Sequence, residues 1–143
     1  MNQLQLKAQD NRLVAVYCEN NKYYDVAVSR YYYYLYENII SYIENNLKKD
    51  FEDYCNNKGI DMPKNEPASH KILVNFIIEN FNDSNTKIAG VKAKLGYIHN
   101  LRRSRNNADY DNTKILYLKD FLSFFKEKFN VVENTLKQLN IVS

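Results

Sequence analysis

Between Leu101 and Asp111 the chain gathers Arg102, Arg103, Arg105, Asn106, Asn107, Asp109 and Tyr110. A guanidinium fork binds phosphate oxygens in pairs, so this density of arginines suits the gripping of a phosphate ligand. His99 stands just upstream and could move a proton near neutral pH. On a helix turning about 100° per residue, His99, Arg103, Asn106 and Tyr110 share one stripe: a base, a cation and two hydrogen-bonding groups. Arg105 falls on a different line, among Val91, Leu95, Ile98 and Leu101, with Asp109 one turn further on as a partner. Two readings of that pair stand side by side: an oriented cation in a site, or an ion pair locking the helix end.

The elements that must position these residues are all helical, since no strand-like alternation bounded by turns occurs. The spacing predicts a first helix from near Gln3 to near Glu19, with Leu6, Leu13, Val14 and Tyr17 inward. A second, long helix starts near Tyr23 and runs through Leu47 and on beyond Phe51, burying Ala27, Tyr31, Tyr34, Leu35, Ile39, Tyr42 and Ile43. Asn56 to Pro67, with Gly59 and Pro63, reads as a loop. A third helix covers about Ala68 to Phe81, and the segment Asn82 to Asn85 is a turn rich in capping side chains. The fourth spans roughly Thr86 to Asn107, its Gly90 and Gly96 allowing close helix packing, and frays near Tyr110. The last begins after Asp111, Asn112 and Thr113 and runs to about Leu139. Its stripe of Ile115, Leu118, Leu122, Phe125, Phe129, Val132, Leu136 and Leu139 suits a core or a seam between subunits. Residues 1–143 are expected to form one domain, an all-α antiparallel bundle of four to five helices.

Composition narrows the function class. The net charge is +3, but residues 84–108 contain no acid and carry +6, which leaves −3 for the rest. A basic strip on a mildly acidic body attracts anions or is a solvated helix face. Cys18 and Cys55 have no metal-ligand spacing, and His70 and His99 are the only histidines, so a histidine-rich metal site within one subunit is excluded. There is no phosphate-loop lysine motif, glycine-rich dinucleotide turn or nucleophile elbow, and neither cofactor nor metal is expected. No apolar run has membrane-spanning length and no signal-peptide pattern occurs, which predicts a cytoplasmic protein without a membrane partner.

Two motifs in order carry a family resemblance. The first is Asp25, Ala27, Val28, Ser29, Arg30, Tyr32, Tyr33 and Tyr36. The second, after His70 at the head of an apolar helix, is Leu101, Arg105, Ala108, Asp109 and Tyr110. Over about Leu6 to Asp111 the chain resembles the small stand-alone branch of the HEPN superfamily (higher eukaryotes and prokaryotes nucleotide-binding domain). Tyr31 and Tyr34 depart from the small residues usual around the tyrosine pair.

The resemblance implies a HEPN-like bundle, a homodimer, and a toxin-like or antiviral-defence role targeting RNA or nucleotides. It implies a nucleotidyltransferase-type partner, as in toxin–antitoxin pairs, and metal-independent ribonuclease activity in many relatives. Arg105 would then contact the phosphate, Asn106 and Asp109 would orient it, and Tyr110 or His99 would complete the catalytic set. Arg102 and Arg103 would hold the RNA backbone. Where such relatives place a histidine after the arginine, this chain has Tyr110. A free phenol titrates near 10 and a histidine near 6.5, so the exchange removes an easy proton shuttle. The alternative implied is a non-catalytic nucleotide- or protein-binding subunit, and a third reading makes Tyr110 a site that the partner modifies. The tyrosine run Tyr31 to Tyr34 must point all around its helix, serving core, dimer packing or base stacking.

Overall fold

The structure, a computed structural model, describes residues 1–61, 66–111 and 114–143, and for residues 66–69 the backbone alone. In chain order its helices are α1 (Gln3–Asn20), α2 (Tyr24–Asn46), α3 (Lys48–Asn57), α4 (Glu66–Asn80), α5 (Asp83–Thr86), α6 (Val91–Tyr110), α7 (Leu118–Phe121) and α8 (Glu127–Gln138). A π turn, Leu122–Lys126, joins the last two into one rod. No strand occurs among the described residues, and the protein is an all-α helical bundle. Among those residues no helix is long and apolar enough to cross a membrane.

α2 is the central element because it is apolar on nearly every side. Tyr24, Ala27, Val28, Tyr31, Tyr32, Tyr34, Leu35, Tyr36 and Ile39 are all buried. α1 lies antiparallel along it: Asn2 donates to the Ser41 hydroxyl at one end (2.7 Å) and Tyr31 donates to Glu19 at the other (2.7 Å). The rod returns antiparallel to α1, fixed by Lys126–Glu19 (2.6 Å) and Arg12–Glu133 (2.8 Å). Between α2 and the rod runs an aromatic ladder of Tyr24, Phe121, Phe125, Phe129 and Tyr31, with Tyr31 and Phe129 centroids 4.5 Å apart. Each such pair adds roughly 0.5–1.5 kcal/mol beyond its burial.

Several expectations need correction. Leu6, Leu13, Val14 and Tyr17 face outward; α1 instead buries Ala8, Asn11, Ala15 and Cys18. Small side chains let the two backbones approach, and that outweighs the larger apolar residues opposite. The second helix breaks at Leu47 (φ −131°) instead of running on toward Phe51, and α3 occupies the start of the expected loop. Pro63 lies outside the described residues, as do Asn112 and Thr113. The turn at Asn82 is a short helix with a reciprocal cap between Asn82 and Asn85. Gly90 is not inside α6 but precedes it in the left-handed region (φ 67°), which glycine enters at little cost. Gly96 is helical, yet a Cβ there would meet nothing within 4 Å, so it serves no close packing. α6 does not fray early: it stays regular through Tyr110. In the rod, Leu118 is exposed, because the π turn shifts the register upstream of Phe125, while Phe121 joins Phe125 and Phe129 in the core.

Tyr31, Tyr32 and Tyr34 are buried and Tyr33 is half-buried, so the run does not fan outward for base stacking. Cys18 and Cys55 are buried free thiols, and burial pushes the Cys55 thiol pKa up.

Candidate functional site

The C-terminal half of α6 crosses α2 and α4, and that crossing sorts the expected site residues into three groups. Arg105 sits on the inner line of α6 with Val91, Leu95, Ile98 and Leu101, and only 8% of it is exposed. Its guanidinium carbon stands 5.3 Å from the ring centres of both Tyr32 and Tyr33. Nη1 pairs with Asp109 at 3.6 Å, while the buried Nε has no hydrogen-bond partner. Desolvated cation–π contacts of this kind hold a guanidinium in place.

Beneath it, His70 is fully buried and lies flat on Tyr36, with ring centres 3.6 Å apart. The Tyr32 hydroxyl and His70 Nδ1 are 2.8 Å apart. Burial raises the Tyr32 pKa, against the pull of Arg105 and Arg102. The phenol therefore keeps its proton, and the two groups share one buried hydrogen bond. Arg105 is thus the lid of an aromatic cluster.

The second group is His99, Arg102 and Arg103. His99 is half-buried and leans onto α4, where its Nε2 lies 2.9 Å from Asn75 Oδ1. With that amide oxygen as acceptor, Nε2 keeps the proton and Nδ1 is the basic nitrogen. Burial lowers the His99 pKa, and the charges of Arg102, Arg103 and Lys71 lower it further, so the imidazole is neutral at pH 7. Arg102 and Arg103 follow at three and four residues, the spacing that brings side chains together on a helix. Arg103 is exposed and Arg102 half-buried.

The third group, Asn106 and Tyr110, lies at the exposed helix end beside an open depression shared with Asn107 and Asp111. Tyr110 is 80% exposed. It shares a stripe with His99, but eleven residues of helix put it about 17 Å away along the axis. It also points about 140° around the helix from Arg105. Tyr110 therefore stands apart from both His99 and Arg105 on the surface of the helix.

Sequence reasoning missed Asn75 and Lys71 as neighbours of His99, and it assigned His70 no partner. Asn75 carried a signal: it is the lone polar residue in the run Ile72 to Ile78. The link from His70 to Tyr32 and on to Arg105 depends on how three helices cross, which no local pattern encodes. Among the described residues, no three His, Cys, Asp or Glu side chains converge as a metal ligand set. Comparison with family models, with curated proteins and with solved structures found no match to this chain.

Proposed function

We propose that this protein is a HEPN-like RNA-targeting module of the toxin or defence type. In this reading it acts as a homodimer beside a nucleotidyltransferase-type partner and cleaves RNA without metal through His99, Arg102 and Arg103. The observation that carries the reading is a neutral, half-buried imidazole tied to Asn75 and followed by two arginines. Nδ1 of His99 takes the proton of a ribose 2′-hydroxyl. The 2′-oxygen attacks the adjacent phosphorus, the 5′-oxygen leaves and takes a proton from water, and a cyclic phosphate remains. Arg102 and Arg103 neutralise the charge that builds on the phosphoryl oxygens. Arg105 does not touch the substrate; it holds α6 against the tyrosine cluster that sets the position of this flank.

The test is incubation of mixed RNAs with the protein in excess chelator, alongside His99→Ala and Arg105→Lys. Loss of cleavage in His99→Ala with unchanged circular dichroism supports the reading. No cleavage of any RNA by the wild-type chain removes the enzymatic part and leaves the non-catalytic binding subunit. That second reading draws on the burial of Arg105, which commits the cation of the resemblance to packing.

A further inference from the structure

The opposite flank of α6 has a different character. Ser104, Asn107 and Ala108 form one wall of a cleft of about 310 Å³, closed by the start of α2 and by the segment leading into the rod. Its apolar lining is Ala108, Ile115 and Phe124, and its charged lining is Asp25, Asp111 and Asp120 against Lys114 alone. Of the apolar lining, Phe124 is 63% exposed, and the chain between Ile115 and the rod exposes Leu116 at 63%, Tyr117 at 61% and Leu118 at 50%. Exposed apolar surface is a mark of interaction sites.

The π turn contributes to that surface. Within it Phe125 is buried while Phe124 stands in solvent, and Ser104 donates to the Phe124 carbonyl across the cleft wall (3.3 Å). At the floor, the Asp25 carboxylate accepts the Ile115 backbone N–H at 3.3–3.4 Å. Burial raises the Asp25 pKa although the Ile115 amide and Lys114 oppose it. This carboxyl gains from any further cation brought within reach.

We propose that the cleft docks a basic, apolar-anchored segment of a partner protein, with Leu or Ile side chains seated against Phe124 and Ile115 and Lys or Arg side chains paired with Asp25, Asp111 and Asp120. Charge complementarity selects this occupant: three carboxylates against one lysine repel a phosphate backbone and favour a cationic chain. The basic and acidic flanks of α6 therefore serve different partners, and this inference stands apart from RNA cleavage.

The probe is a synthetic amphipathic peptide of leucine and lysine, with a leucine–glutamate twin as control, titrated calorimetrically into the full chain. The lysine peptide is expected to bind and the glutamate twin not to. Phe124→Ser and the pair Asp111→Lys/Asp120→Lys should each weaken binding about tenfold or more, the charge reversal more at low salt than at high. Phe124 and Asp111 are exposed and Asp120 is half-exposed, so circular dichroism should be unchanged, and RNA binding by the charge-neutral Phe124→Ser should be unaltered. Equal affinity for both peptides, or unchanged affinity in Phe124→Ser, overturns the proposal. So does displacement of the lysine peptide by RNA. Self-association that Phe124→Ser abolishes in sedimentation would assign the cleft to a second copy and likewise overturn it.

Discussion

Arg103 and Arg105 are two residues apart on one helix and have opposite fates. Arg105 is 8% exposed, capped over two tyrosine rings and paired with Asp109. Arg103 is exposed and contributes to a positive field that reaches His99. The residue that anchors the sequence motif is spent on packing, and its less distinctive neighbour is available to a ligand. A cation inside a tyrosine-rich core is costly to remove because its partners would be left bare. A solvated cation costs the fold little and is free to meet a phosphate.

The sharpest way to break that contrast is to interchange the effects. His99→Ala should slow RNA cleavage about a thousandfold, roughly 4 kcal/mol of barrier, with little change in melting temperature. The wild-type rate should rise with pH through an acid limb whose midpoint lies below 6.5, because burial and the neighbouring arginines and lysine hold the His99 pKa below its ordinary value. A midpoint at or above that value would remove His99 from the role of base. Arg105→Ala should do the reverse, costing about 2–3 kcal/mol in urea unfolding. Arg105→Met, which keeps the apolar stem over the tyrosines, should recover much of that. An Arg105→Ala protein as stable as wild type would show the guanidinium to be no anchor.

Smaller effects refine the picture. Arg103→Ala should weaken RNA binding about tenfold or less and lower the salt-dependence slope by about 0.7 for a single strand. Its stability should stay within about 0.5 kcal/mol of wild type, read from the same unfolding curves.

The least effect concerns Glu37 in the α1–α2 seam. It accepts from Asn11 at 3.0 Å, and its buried Oε2 has no hydrogen-bond partner. Burial raises its pKa against Lys7, Asn11 and Arg30. A carboxyl with a raised folded-state pKa binds its proton more tightly folded than unfolded, so its ionisation on going from acid to neutral pH favours unfolding. Glu37→Gln should therefore stabilise by about 1 kcal/mol at neutral pH, with the gain shrinking in acid as wild-type Glu37 takes up its proton. Pairs of melting curves across that range would decide it, and a gain that grows in acid would refute it.

The long helices were legible in the sequence because periodicity and capping residues mark them directly. Which face of α1 goes inward was not: Leu6 and Leu13 outrank Ala8 and Ala15 in hydrophobicity, yet close approach to α2 selected the small residues. The break at Leu47 had no proline or glycine to announce it. The three-and-four stripe Leu118, Leu122, Phe125 suited a regular helix, and the i to i+5 bond from Glu127 to Leu122 turned Leu118 out to solvent instead. At the candidate site, the Arg105–Asp109 pair and the stripe through His99 could be read from helical spacing. The split between an embedded and an exposed group could not, because it depends on where α2 and α4 cross α6.

The π turn has a consequence for how this surface changes by descent. A π turn holds one residue more than the α-helical repeat, so losing a single codon between residues 122 and 126 would return the rod to regularity. α8 and its ion pair to α1, between Glu133 and Arg12, would keep their places. The stretch upstream would swing by about 100°, the angle of one helical residue. Genes differing by that one triplet should encode chains alike in architecture but unlike in which side of α7 meets the core.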